Sequence, residues 1–210
     1  MSNSSLVSYT QWSPNYSERT APISKITIHH CAVVNASLQG LGNGFARTSR
    51  QASSTYGIDS NGNIGQFVDE KHRPWTSSSK ANDNVAITIE VANSKGEPNW
   101  EISDKAYAAL LDLCEDICRR NNIKELNFTG DANGNLTQHN YFAATGCPGP
   151  YLKSKFKDIA NEVNRRLKND GTTTNKNTIY RVQVGAFSDK KNAENMVKQL
   201  KADGYNAFIK

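Results

Sequence analysis

Strand-like and helix-like segments alternate along this chain, and that alternation limits the folds open to it. Two β-branched runs, residues 25–31 and 85–91, predict strands. Residues 56–59 and 64–68 flank an Asn61-Gly62 step and predict a hairpin. Because Asn and Gly accept positive φ angles, a tight primed turn is expected between the two hairpin strands.

The clearest helix is predicted to begin after Ser103, which suits an N-cap. Its apolar positions recur at helical spacing as far as Cys118, and a second apolar stripe predicts a helix over residues 151–167. A short, interrupted helix is expected within residues 36–54. Residues 1–24 are expected to be irregular and to pack over the domain edge. Strands alternating with helices therefore predict an α/β domain with a central mixed sheet flanked by helices.

Composition describes a soluble protein of one ordinary domain plus a small addition, with 210 residues, 37% hydrophobic content and a negative mean hydropathy. No apolar run approaches the ~20 residues that a membrane-spanning helix needs, so membrane insertion is not expected. The first six residues lack the pattern of a secretory signal, so synthesis in the cytoplasm is expected, and any role outside the membrane would require release by another factor. A net charge of +5 favours polyanionic surroundings, either nucleic acid or the bacterial wall. Without a basic stripe carrying interleaved aromatics, nucleic acid is not the predicted partner.

A polar stretch divides the chain. Residues 168–177 contain no apolar side chain and predict a linker between a domain at 1–167 and a tail at 178–210. The tail predicts one βαβ unit, with strands at 180–187 and 205–209 around a helix. A unit of this size is marginal alone. It should pair with a second copy in a homodimer, dock on the first domain, or remain marginal.

Histidines and cysteines concentrate in two short segments. His29 and His30 end the first predicted strand, whereas His139 and Cys147 lie in one polar loop. Two imidazoles and a thiolate suit Zn²⁺, and three protein ligands leave the fourth tetrahedral position open, as in catalytic zinc sites. Adjacent strand residues face opposite ways, so His29 and His30 cannot easily bind one ion together.

The other polar candidates are weaker. Glu90 is the one carboxylate in an otherwise uncharged strand, so it is either a catalytic base facing a cleft or an edge-strand residue facing water. Thr145 could donate to a reacting oxygen. Cys114 and Cys118, four residues apart on a helix, are poorly placed for a disulfide and predict two small core residues.

Residues 22–167 resemble the zinc-dependent N-acetylmuramoyl-L-alanine amidases of type 2, which share the peptidoglycan recognition protein fold. Four pieces carry the resemblance: the strand end Ile28-His29-His30-Cys31-Ala32, the run Arg73-Pro74-Trp75 followed by Asn82 to Glu90, the histidine His139, and the ending Thr145-Gly146-Cys147-Pro148-Gly149. The sequence of residues 75–84 is similar to the corresponding segment of amidases from clostridia and their phages. An endolysin or an autolysin is therefore implied.

The resemblance implies a role for each matching residue. His29, His139 and Cys147 would hold zinc, Glu90 would deprotonate water, and Thr145 would support the oxyanion. Substrate contacts are implied for three further residues, His30, Trp75 and Asn84. Some relatives place a Lys at the position of Thr145, and others place near the metal a Tyr that aligns here with Ser54. Tyr56 is therefore interpreted as a core or groove-wall residue.

The implied reaction is hydrolysis of the amide between N-acetylmuramic acid and L-alanine of the stem peptide in peptidoglycan. The tail resembles half of a SPOR repeat, a module that binds wall glycan, through its run Tyr180 to Phe187. Two alternatives stay open. One is a cysteine peptidase of the wall using Cys31 or Cys147 with a histidine, and the other is a non-catalytic protein that binds peptidoglycan.

Overall fold

The computed structural model describes residues 3–169, 185–204 and 209, and the chain divides into two compact units, Met1–Thr172 and Thr173–Lys210. The strands are β1 Val7–Thr10, β2 Tyr16–Glu18, β3 Lys25–Val34, β4 Tyr56–Ile58, β5 Ile64–Gln66, β6 His72–Pro74, β7 Ala86–Asn93 and β8 Leu136–Gln138. The helices are α1 Leu38–Phe45, α2 Lys80–Val85, α3 Asp104–Arg120, α4 Gly149–Asn169 and α5 Lys190–Ala202. Within these described residues, no helix has both the length and the apolar character needed to cross a bilayer.

Six strands of the first unit form one mixed sheet in the order β1-β5-β4-β7-β3-β8. Only β4 and β5 pair antiparallel, as a hairpin, and the other neighbours are parallel. The predicted mixed sheet flanked by helices is confirmed. The two predicted β-branched strands, β3 and β7, lie side by side in its interior.

One face of the sheet carries the main core. Ile26 and Ile28 of β3 and Ile87 and Ile89 of β7 are fully buried in a cluster that includes apolar residues of α3 and α4. The predicted cap of α3 is present, since the Ser103 side chain accepts a hydrogen bond from the amide of Ala106. Cys114 and Cys118 are buried free cysteines of this core, as the sequence predicts.

The opposite face of the sheet carries a buried polar layer. Thr27 and Thr137 share a hydrogen bond of 2.9 Å, and Asn82 of α2 donates to Thr27 Oγ1. Thr88 of β7 bonds to the hydroxyl of Thr76 in the same way. Alternation along each strand separates these threonines from the isoleucines, so the face that carries His29 and Glu90 is polar and hydrogen-bonded.

Helix α1 packs on the hairpin because two glycines leave room for it. A Cβ on Gly57 would lie 3.0 Å from Leu41, and one on Gly65 would lie 3.1 Å from Leu38, both of them residues of α1. The expected interrupted helix is observed as α1 followed by a 3-10 turn at Thr48–Arg50. This arrangement places the 3-10 turn beside the polar face of the sheet.

Two local predictions need correction. In the hairpin only Gly62 has a positive φ, with its amide bonded to the Asp59 carbonyl, so the connection is a type I turn closed by a glycine and not a primed turn. The N-terminal segment is not irregular. Its strand β1 joins the edge of the main sheet, and β2 pairs with β6 in a separate two-stranded ribbon, because backbone pairing does not require apolar side chains.

In the second unit, α5 is capped by the Asp189 side chain and is followed by Gly204 at φ +85°. Its least exposed side chains are those of the predicted apolar stripe: Ala193, Met196, Val197 and Leu200. Of the predicted tail strands only residues 185–187 and 209 are described, and these are not in a strand. Of the predicted linker only residues 168 and 169 are described, and they lie at the end of α4.

Candidate metal centre

The centre is built on the pairing of β3 with β7. His29 and Glu90 are register partners on these parallel strands, so their side chains leave the same face of the sheet. His29 Nδ1 lies 4.0 Å from Glu90 Oε1. Because β7 lies between β4 and β3, Glu90 is not an edge-strand residue, and that alternative is wrong.

His139 and Cys147 approach from the other side of β3. Strand β8 pairs with β3 up to Gln138, so the residue that follows it, His139, is delivered next to His29, with ring centroids 4.6 Å apart. Cys147 Sγ lies 3.7 Å from His29 Nδ1. Thr145 shapes this loop, because its hydroxyl accepts a hydrogen bond of 3.2 Å from the Cys147 amide.

The three side chains fit a zinc ion. Their donor atoms all lie within 4.8 Å of one another, and no other such group occurs among the described residues. Tetrahedral zinc with Zn–S of about 2.3 Å and Zn–N of about 2.0 Å places sulfur and nitrogen about 3.5 Å apart, close to the 3.7 Å observed between Cys147 Sγ and His29 Nδ1. The Nε2 atoms of His29 and His139 are buried without a hydrogen-bond partner. For His29 the nitrogen that lies near the thiol is Nδ1, so Nδ1 is the candidate ligand atom of this ring and Nε2 is the one without a partner.

Burial sets the protonation of the centre. It lowers the pKa of His29 well below its usual value, with His139 and His30 adding to the effect, and burial also lowers the pKa of His139. Both rings are therefore neutral near pH 7, as metal ligands must be. Burial raises the pKa of Glu90 to about 8, against the opposing influence of Arg50. Burial and then Glu90 raise the pKa of the Cys147 thiol to about 12.

His30 does not join the cluster. By strand alternation it leaves the opposite face of the sheet, where its ring meets Trp100 edge-on with centroids 5.5 Å apart. It also lies under the start of α4, since a Cβ on Gly149 would sit 3.0 Å from the His30 ring. The side chain is only 8% exposed.

Trp75 and Asn84 bond to the N-terminal segment and not to the cluster. The indole of Trp75 donates to Ser17 Oγ at 2.9 Å, and its ring is half-buried. The Asn84 side chain exchanges hydrogen bonds with Thr20, accepting from its amide and donating to its hydroxyl. Both residues hold the segment around β2 against α2 and β6.

Tyr56 is a core residue, as its position relative to the family motif predicts. It is fully buried, and its hydroxyl donates to Glu70 Oε1 at 2.6 Å. Ser54, which takes the aligned position of the Tyr in some relatives, is also buried and bonds to Thr88.

Sequence reasoning missed Arg50. It follows α1 in the 3-10 turn, stacks over the Phe45 ring with its Cζ 5.5 Å from the centroid, and acts electrostatically on both Glu90 and Cys31. A lone arginine in a polar segment has no pattern that marks it. Only the packing of α1 against the hairpin brings it to this face.

Comparisons with known proteins show which families the chain matches. Residues 19–150 match the sequence profile of the family described as N-acetylmuramoyl-L-alanine amidase, and residues 154–210 match that of the SPOR domain. No curated protein matches this sequence significantly.

Solved structures resemble the chain at low identity. The Staphylococcus aureus hydrolase AmiA, in complex with its ligand, aligns with a TM-score of 0.62 and 14% identity over 80% of this chain and 93% of that chain. A mutant endolysin from Bacillus subtilis aligns at 0.58 and 18% over 78% and 99%. Drosophila peptidoglycan recognition protein SD aligns at 0.53 and 19% over 68% and 83%. These likenesses show a shared fold.

Proposed function

The chain belongs to the N-acetylmuramoyl-L-alanine amidase family of peptidoglycan hydrolases, and we propose that it works as a zinc-dependent enzyme with the centre of His29, His139 and Cys147. The bond cleaved is the amide between N-acetylmuramic acid and L-alanine of the stem peptide. The observation that carries the zinc proposal is the convergence of three donor atoms within 4.8 Å, beside a carboxylate whose Oε2 is buried without a partner.

A zinc ion held there would polarise the scissile carbonyl and lower the pKa of a bound water. The protein supplies the proton transfers. Glu90 would accept the proton of the attacking water on Oε2, which is buried without a partner, and return it to the amine that leaves. The positive charge of a zinc ion beside it would lower the pKa of Glu90 and favour the carboxylate form that accepts the proton.

Thr145 is proposed to steady the oxyanion. Its oxygen accepts from the Cys147 amide, so its own hydroxyl proton remains free to donate. The side chain is exposed beside the ligand loop, where a substrate oxygen can reach it.

Of the three residues expected to contact substrate, Trp75 keeps a half-exposed ring and remains in the proposal. For His30 and Asn84 the geometry favours positioning of neighbouring segments over direct contact. His30 supports the junction of β3 with α4, and Asn84 holds Thr20 against α2.

The cysteine-peptidase alternative is disfavoured by the thiols themselves. Burial raises the pKa of Cys31 well above its usual value and that of Cys147 to about 12, so neither is a thiolate at neutral pH without a cation beside it. The non-catalytic alternative is disfavoured because all three donors and Glu90 are present and grouped together.

The SPOR and amidase domains together indicate peptidoglycan binding. We propose that residues 1–167 form the catalytic domain, that 168–177 link it to the tail, and that residues 178–210 tether it to wall glycan. A tether raises the local substrate concentration without a new contact at the active site. Release to the wall as an endolysin or autolysin, and pairing of two tails, are further parts of this proposal.

Digestion of purified muropeptides followed by mass analysis tests the activity. Free stem peptides that begin at L-alanine are expected, with activity lost to a chelator and restored by Zn²⁺. Cleaved glycan, or peptides cut between amino acids, would refute the bond assignment. Activity that resists chelator but is lost to thiol alkylation would favour the cysteine peptidase.

A further inference from the structure

Two aromatic side chains of the N-terminal segment are left in water on a rigid backbone. Trp12 is 53% exposed and Tyr16 is 43% exposed. Between them Ser13 and Asn15 are almost fully buried, so the segment alternates outward and inward like a strand. The exposed rings therefore do not belong to a loose terminus.

The buried residues anchor the segment by hydrogen bonds. The Ser13 amide donates to the Phe67 carbonyl at 2.8 Å, and the Ser13 hydroxyl donates to the Phe45 carbonyl at 2.6 Å. The Asn15 amide group donates to the carbonyls of Phe45 and Arg47 at 3.0 and 2.9 Å. These hydrogen bonds fix the directions in which the Trp12 and Tyr16 side chains point. Both side chains therefore expose apolar area to water, which is unfavourable for folding alone.

The ring of Tyr16 is held by a second contact. It stacks on His72 with centroids 4.3 Å apart and an interplanar angle of 26°. His72 is in turn positioned by β6, which pairs with β2, and by the hydrogen bond that its backbone amide donates to the Asp69 carbonyl. Two pre-positioned ring planes lose little conformational freedom when a flat ligand covers them.

The rings of Trp12, Tyr16 and His72 border a surface cavity of about 360 Å³. Val68, Asp69 and the 65% exposed Lys71 also line it, and Lys71 Nζ lies 4.0 Å from Asp69 Oδ2. The lining thus combines aromatic rings with a charged acceptor and a charged donor. A pyranose ring has the matching chemistry, with an apolar C–H face and hydroxyl groups at its edge.

We propose that the Trp12–Tyr16–His72 surface is a glycan-binding subsite, which holds sugar rings of the peptidoglycan strand away from the scissile bond. The inference rests on the proposed function in taking peptidoglycan as the substrate. Peptide ligands fit less well, because the cavity lining has few groups that could bond to a row of backbone amides. Aromatic residues with a polar group at one end are common where a ligand has one apolar and one solvated side.

One chain segment leads from the subsite towards the polar face that carries Glu90. Strand β6 begins at His72 and ends at Pro74, and it is followed by Trp75 and Thr76. The Thr76 hydroxyl bonds to Thr88, two residues before Glu90. At roughly 3.3 Å per residue, an extended backbone from His72 to Thr76 spans at most about 13 Å. A glycan strand is long enough to extend from the subsite towards the metal centre, whereas a free monosaccharide is not.

The test uses the full zinc-loaded chain and compares Trp12→Ala with Trp12→Phe. The matched control is Leu6→Ala, which removes another exposed apolar side chain, 43% exposed, from the same segment but outside the cavity. Binding is measured by calorimetry with purified glycan strands stripped of stem peptides. Trp12→Ala should weaken it at least five-fold, whereas Trp12→Phe and Leu6→Ala should stay within two-fold of wild type.

Turnover of a small soluble muropeptide separates this inference from the proposed function. All three variants should hydrolyse it within two-fold of wild type and melt at similar temperatures. Glycan binding unchanged in Trp12→Ala would place all binding in the tail and overturn the subsite. An equal loss on the small muropeptide would also overturn it, because the residue would then act on the catalytic domain as a whole. If wild type fails to cleave muropeptides while Trp12 still governs glycan binding, the proposed function fails and the subsite stands.

Discussion

His29 and Glu90 lie side by side as register partners on the neighbouring parallel strands β3 and β7, with Nδ1 4.0 Å from Oε1. The pairing places a metal-ligand candidate and a carboxylate side by side without any loop that must fold over to assemble them. Sites built on strands are more precisely positioned than sites built on loops. The two residues have different proposed roles, metal binding for His29 and proton transfer for Glu90, and mutation can test each role separately.

Replacing Glu90 should abolish turnover and spare the metal. Glu90→Gln keeps the size of the side chain but cannot take a proton, so kcat should fall by about 10²-fold or more. Zinc content by atomic absorption should match wild type, because the three donors are unchanged. Glu97→Gln, at an exposed position, is the control and should turn over normally. Normal turnover in Glu90→Gln would remove Glu90 from the mechanism.

The same carboxyl should make the metal-free protein less stable as pH rises. Because the pKa of Glu90 is raised to about 8 from an ordinary 4.5, the folded state binds more protons than the unfolded state between these values. Stability contributed by the protonated group is present below pH 4.5 and is lost by pH 8. The side chain keeps 17% exposure, so the loss should be on the order of 2–4 kcal/mol.

Urea unfolding of the metal-free protein, prepared with a chelator, at pH 5 and pH 8 measures this effect. Glu90→Gln should be more stable than wild type at pH 8, and the difference should shrink at pH 5. Comparing variant with wild type cancels the opposing titration of His29, whose lowered pKa acts in both proteins. A pH-independent difference between the two would show that the carboxyl titrates normally.

Thr145 offers a test of oxyanion support against loop positioning. Thr145→Ala removes both the acceptor for the Cys147 amide and the free hydroxyl, so kcat should fall about 10-fold to 100-fold. Thr145→Ser keeps the hydroxyl and should stay near wild type, as should Thr10→Ala at an exposed strand position. Zinc affinity by competition with a chelating dye decides the role. Weakened affinity with unchanged kcat would make Thr145 a positioning residue for Cys147.

How far the centre could be predicted depends on the kind of signal each residue has. The candidate ligands His29, His139 and Cys147 could be proposed from the sequence, because two imidazoles and a thiol form a donor set that suits zinc, and the structure brings these three side chains together. The register of His29 with Glu90 was not, since strand pairing joins residues far apart in sequence. The strands β1 and β2 were missed for a related reason: they are only four and three residues long, too short for an alternating pattern to stand out, and their pairing with β5 and β6 is what shows that they are strands.

Arg19 links the segments around the centre, and its loss should lower the free energy of unfolding. Its guanidinium donates to five carbonyls, those of Glu70, His72, Asp83, Asn84 and Ala86. These carbonyls belong to the approach to β6, the end of α2 and the start of β7. Burial lowers the pKa of Arg19 to about 10, so it stays charged at neutral pH.

Arg19→Met keeps the apolar stem and removes every one of these bonds. Because part-buried carbonyls are then left without donors, the free energy of unfolding should fall by about 2–4 kcal/mol in a urea titration. Arg165→Met, which breaks an exposed pair with Glu162 on α4, should leave the free energy of unfolding close to that of wild type, because water screens an exposed ion pair. A loss no larger in Arg19→Met than in Arg165→Met would mean that water replaces the guanidinium, and that the packing of α2 against β6 does not depend on it.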